Sequence, residues 1–137
     1  MRRNKLIGHE PIGGLLMGQV IVNEFGQIVV SEETIATVAG IAALECYGLV
    51  GMCSRSRLKD NFVELLGMEN LSRGVEVSLN DDKVIIDLFI IVSYGTKISE
   101  VAQNVMETVK YAVENLIGLK VDKVNVNVQG VRVSQVK

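Results

Sequence analysis

His9 is the chain's single histidine, in a stretch that also holds Pro11, Gly13 and Gly14. Serine, cysteine or metal chemistry built on imidazole would have to be organised from there. A solvent-exposed tail residue is the simpler expectation. Cys46 and Cys53 are separated by six residues, with no second pair. That is neither a zinc nor a redox spacing, so buried thiols are expected. Asp81 and Asp82 are adjacent carboxylates, groups able to hold a cation or move a proton. They lie in Asn80-Asp81-Asp82-Lys83 between two β-like runs, where turn formation accounts for both. Asp87 is a lone charge in an apolar run, and alternation puts it on one face with Ile85, Phe89 and Ile91. On an open face it is solvated or ion-paired; on a buried one it needs a partner. These residues define no catalytic constellation, no metal set and no cofactor site, and the chain is read as a non-enzyme.

Phosphate chemistry has two weak signals. Gly48-Leu49-Val50-Gly51 matches the bare Gly-x-x-Gly of the KH loop, and Arg55, Arg57 and Lys59 follow it. The middle positions are apolar, where a phosphate-facing loop favours polar or basic residues. A helix stop followed by an apolar anchor explains the same residues. Gly95-Thr96-Lys97 lacks the rest of a P-loop. A basic patch of Arg55, Arg57, Lys59 and Arg73 keeps open an alternative, a nucleic-acid-binding module whose binding would be salt-sensitive. A small-molecule or metal-binding accessory domain is a second alternative.

The elements that position these residues are organised around Gly74 to Gly95. Val75, Val77 and Leu79 alternate with Glu76 and Ser78, the period of a half-buried strand. Val84 to Ser93 is apolar at nearly every position and suits the interior of a sheet. Val20-Ile21-Val22 and Ile28-Val29-Val30 predict a hairpin turning at Asn23-Glu24-Phe25-Gly26. Ser31 stands as N-cap before a helix carrying Ile35, Val38, Ala39, Ala42 and Cys46 on one face. Ala36, Ala39, Gly40, Ala42 and Ala43 make that helix thin enough for close approach, and Gly48 ends it. Residues 51–73 read as the least regular part, with Phe62, Leu65, Leu66 and Met68 lining one side of a short helix. Ile98, Val101, Ala102, Val105, Val109, Ala112, Val113 and Leu116 hold the helical period for about five turns, and Gly118 stops them. Val124, Val126 and Val128 alternate with Asn125, Asn127 and Gln129 in a last strand. The period slips at Gly130, which predicts a bulge there. Two helices on one sheet make a two-layer α+β domain with a mixed or antiparallel sheet. The β-α-β-β-α-β order permits a ferredoxin-like arrangement.

At 137 residues, 48% of them apolar, the chain supports one real core. Residues 19–137 form that single domain. Residues 1–18, with four Gly and Pro positions in their second half, read as an irregular N-terminal extension, native or non-native. The net charge of −2 gives no global pull toward nucleic acid or anionic lipid. The mean hydropathy of +0.32 fits a large core or an apolar surface covered by a partner. No apolar run spans a bilayer and no signal-peptide core forms, so a cytoplasmic protein without direct membrane insertion is expected.

Several stretches together resemble the bacterial alkaline shock protein family, also called Gls-type general stress proteins, in its shorter housekeeping branch. They are Gly26-Gln27-Ile28-Val29-Val30-Ser31, Val38 to Ala43, Tyr47-Gly48-Leu49-Val50-Gly51-Met52, Asp87 to Gly95, and Val124 to Val131. The similarity covers about residues 19 to 134. It implies a small non-enzymatic cytoplasmic protein linked to cell-envelope stress and homeostasis. Self-association and another, membrane-anchored protein are the implied partners. The family brings no catalytic residues to carry over. The contact surface is expected at Ala39, Gly40 and Ala43 of the thin helix and at Leu49, Val50 and Met52 of the apolar segment.

Overall fold

The computed structural model describes residues 5–12, 16–54 and 64–133, with side chains described from residue 19 onward. The first hairpin forms as its pattern predicts. Strand β2 (Leu16–Asn23) pairs antiparallel with β3 (Gly26–Ser31), from Gly18 opposite Ser31 to Asn23 opposite Gly26. The Asn23 side chain accepts a 2.9 Å hydrogen bond from the Phe25 N–H and holds the turn. Residues 1–18 depart from expectation. Strand β1 (Lys5–Ile12) pairs antiparallel along the other edge of β2, so much of the extension is regular. Pro11 falls at the outer end of that strand, where a missing N–H is tolerated.

Ser31 caps helix α1 (Glu32–Leu44), its Oγ accepting from the Thr34 N–H at 3.1 Å. Strand β4 (Leu49–Met52) follows, then a 3-10 helix over Met68–Gly74. Strands β5 (Val75–Asn80) and β6 (Lys83–Ser93) form the expected hairpin. Asp81 takes φ 58 in its turn, a conformation Asp tolerates better than most residues. Helix α2 (Ile98–Ala112) runs into a π-helical turn, Val113–Ile117, and Gly118 at φ 91 ends it. Strand β7 (Val121–Arg132) closes the chain.

The sheet is mixed. Strands β4 and β5 both pair antiparallel with β6, while β7 pairs parallel with it along nearly its whole length. A strand has two edges, so β4 and β5 lie end to end on one edge and β7 occupies the other. The β6–α2–β7 unit is thus a parallel crossover. The α+β class holds, but a ferredoxin-like sheet does not form. The first hairpin builds a separate three-stranded sheet with β1, because both edges of β6 are already filled. Both helices cover one face of the larger sheet. Val84, Ile86, Leu88, Ile90 and Val92 of β6 meet Ile35, Ala39 and Ala43 of α1 and Val101, Val105 and Val109 of α2 in one core. Leu116 leaves the expected apolar face and is 76% exposed. The wider π turn moves the phase of the last residues, and half-buried Ile117 packs instead.

Candidate interaction surface

The thin face of α1 is spent on the protein's own core. Ala39 and Ala43 are fully buried, and Gly40 packs under the 3-10 helix. A Cβ on Gly40 would stand 3.3 Å from the Leu71 Cβ, so the small residue serves an internal approach. Met52 is fully buried too. The expectation that Ala39, Gly40, Ala43 and Met52 face a partner is therefore corrected. Small-residue spacing signals close packing without saying against what. Leu49 and Val50 remain half-buried at the entry to β4.

Arg55, Arg57 and Lys59, with Phe62, lie outside the described residues. Arg73 is exposed at a groove it shares with Glu32, Glu33 and Glu76, an acidic setting rather than a basic patch. Leu65 makes an isolated bridge with Cys53, and Met68 opens the 3-10 helix, so the helical reading of Leu65 to Met68 gives way to extended and 3-10 backbone. His9 falls in β1.

Asp87 sits half-buried on the sheet face that the helices leave open, and its Oδ1 accepts a 2.9 Å hydrogen bond from Asn125 Nδ2. Next to it, Asn127 Nδ2 donates to the Leu88 carbonyl at 3.1 Å. Asp81 and Asp82 are exposed turn residues. Among the described residues no group of three or more His, Cys, Asp or Glu comes together to hold a metal ion. Both cysteines are buried and free; Cys46 Sγ donates to the Ala42 carbonyl at 3.7 Å. Burial pushes the Cys53 thiol up, against a smaller opposing pull from Arg132.

Two surfaces were not read from the sequence. Tyr47 and Tyr94 are 84% and 74% exposed on neighbouring parts of the chain, since the Ser93 N–H donates to the Gly48 carbonyl at 2.8 Å. Tyr47 borders a groove with Thr96, Lys97, Glu100 and Asn104. The second surface is a groove between α2 and β7. Gln103, Met106, Glu107 and Lys110 form its wall and Asp122 to Asn125 its floor. Their i, i+3, i+4, i+7 spacing on α2 was the available signal.

The described residues form a helix-covered mixed sheet that leaves Tyr47 and Tyr94 exposed. The chain belongs to the alkaline shock protein family, described as having cell envelope-related function, whose model matches residues 20–133. This agrees with the resemblance carried by the sequence motifs. The chain is similar to "Uncharacterized protein YloU" of Bacillus subtilis (strain 168), 58% identical over 81% of this chain and 92% of the relative. It is also similar to "Uncharacterized protein Spy1614" of Streptococcus pyogenes serotype M6, 47% identical over 79% of this chain and 89% of the relative. "Uncharacterized protein YqhY" of Bacillus subtilis is 33% identical, over 78% of each chain. No solved structure matches. The family is not a known enzyme family.

Proposed function

We propose that the chain is a non-enzymatic interaction protein of cell-envelope stress and homeostasis, acting by self-association and by binding another protein. Among the described residues no helix is long and apolar enough to cross a membrane. In this reading the partner supplies any membrane attachment. The observation that carries it is the pair Tyr47 and Tyr94, both exposed on segments joined by the Ser93-to-Gly48 backbone hydrogen bond, where half-buried Leu49 pairs with Val92. Tyrosine is favoured at protein interfaces because it adds a large apolar body and a hydroxyl with few rotatable bonds.

The test is a tagged pulldown from native lysate, split into membrane and soluble fractions and treated with nuclease. Wild type is expected to recover a defined protein that survives nuclease, and Tyr47→Ala/Tyr94→Ala to lose it while remaining folded. Complexes that vanish on nuclease treatment would overturn this reading and favour the nucleic-acid one.

A further inference from the structure

We infer that the outer edge of β7 is a self-pairing edge, joining two copies of this chain into one continuous sheet about a two-fold axis at Val126. The inference deepens the self-association part of the functional reading and rests on it.

Strand β7 is 12 residues long, pairs with β6 on one side, and has no strand on its other side among the described residues. The ladder with β6 shifts at Asp122 and again at Gln129, where each is the extra residue. Between these bulges lies the regular stretch Lys123 to Val128. The direction of its backbone groups follows from β6. Its Val84 N–H donates to the Lys120 carbonyl on the β7 side, whereas the Phe89 carbonyl and Ser93 N–H bond to Cys53 and Gly48 on the opposite side. Even-numbered residues of β6 therefore bond toward β7. In a parallel pair their partners are the residues flanking each opposed position, here Lys123, Asn125 and Asn127. Val124, Val126 and Val128 are left with N–H and C=O groups pointing outward.

An edge of this kind is a template for another strand, and among the described residues it is guarded only by Lys123 and the two bulges. Its sequence selects the occupant. Val124-Asn125-Val126-Asn127-Val128 is a palindrome. In an antiparallel pair about Val126, Val126 opposes itself, each Val124 opposes Val128, and each Asn125 opposes Asn127. Valines meet on the helix-covered side and asparagines on the open side, with every outward backbone group paired. No like charges oppose within this stretch, since Lys123 meets Gln129. The groove between α2 and β7 is completed by the same step. Val128 of the second copy arrives opposite Val124, beside Met106, where the groove now lies open. Acids and bases are balanced there, Glu107 and Asp122 against Lys110 and Lys123, which suits an identical partner better than a strongly charged one.

Sedimentation equilibrium of the full chain is the experiment, with paired charge variants on the open side. Wild type is expected at twice the 15.0 kDa chain mass. Asn125→Lys/Asn127→Lys places two Lys–Lys pairs across the axis and is expected at the single-chain mass. Asn125→Lys/Asn127→Asp places two Lys–Asp pairs there and is expected to return to the dimer mass. Circular dichroism of each variant checks that the fold persists. Wild type sedimenting as a monomer, or both double variants keeping the dimer mass, would overturn the inference. A monomeric chain that still captures its partner through Tyr47 and Tyr94 would sink this edge and leave the partner reading intact. A dimer that captures nothing would do the reverse.

Discussion

Gly48 joins the end of α1 to β4 and is the point where backbone strain and close packing coincide. Its φ is +89, and a Cβ built there would stand 2.6 Å from Val101 Cγ2, with Thr96 Cγ2 at 3.4 Å and Val101 Cγ1 at 3.5 Å. Gly48→Ala meets two separate costs. The positive φ costs an L-residue about 1–2 kcal/mol. The overlap with Val101 is about 1 Å short of an ordinary carbon contact, and overpacking of this kind costs about 1–3 kcal/mol. Val101 is β-branched on α2 and 6% exposed, so it has little room to turn away. The single substitution is expected to destabilise by about 2–5 kcal/mol, a large part of the roughly 5–15 kcal/mol typical of a domain. Val101→Ala removes buried carbon and is expected to cost about 1–3 kcal/mol by itself. In the double variant the overlap is gone and the dihedral cost remains. It should therefore be about 1–3 kcal/mol more stable than the sum of the two single effects. Urea unfolding followed by circular dichroism, with unchanged slopes, supplies the cycle. Additivity within about 0.5 kcal/mol would refute the steric part. A Gly48→Ala cost below about 1 kcal/mol would refute the conformational part as well.

Leu71 is 1% exposed between the 3-10 helix and α1. Leu71→Ala should cost about 2–5 kcal/mol in the same assay, and a cost under about 1 kcal/mol would mean that segment is not seated on the core. Asp81→Gly relieves the positive φ of the β5–β6 turn and should raise stability by up to about 1 kcal/mol, read as a higher urea midpoint. Burial raises the Cys53 thiol above its ordinary 9.0, so the folded state holds its proton more tightly than the unfolded chain. Stability is expected to be full below about pH 9 and to fall as pH rises from there through the folded-state value. Cys53→Ala should remove that alkaline slope, and an identical slope in the variant would reject the assignment.

Local chemistry is what the sequence settled. Period two marked β5 and β7, period 3.6 marked α1 and α2, and Ser31 and Gly118 marked helix ends, because each depends on a residue and its near neighbours. Helix α1 stops at Leu44 with Glu45 as its cap, ahead of the Gly48 that the sequence pattern put there. The bulge beside Gly130 was also legible, since the slip in valine phase is itself the register shift. Tertiary structure alone decided what each apolar face meets. Ala39, Gly40 and Ala43 have the same spacing whether they approach a partner or Leu71, and only the folded chain puts Leu71 there. Leu49 to Met52 became a strand because β6 offered an edge, though its local pattern carries little strand signal. The allocation of strands to two sheets, and the open edge it leaves on β7, follows from competition for the two edges of β6. Hydrophobic periodicity is a property of one segment, whereas edge occupancy belongs to all of them at once.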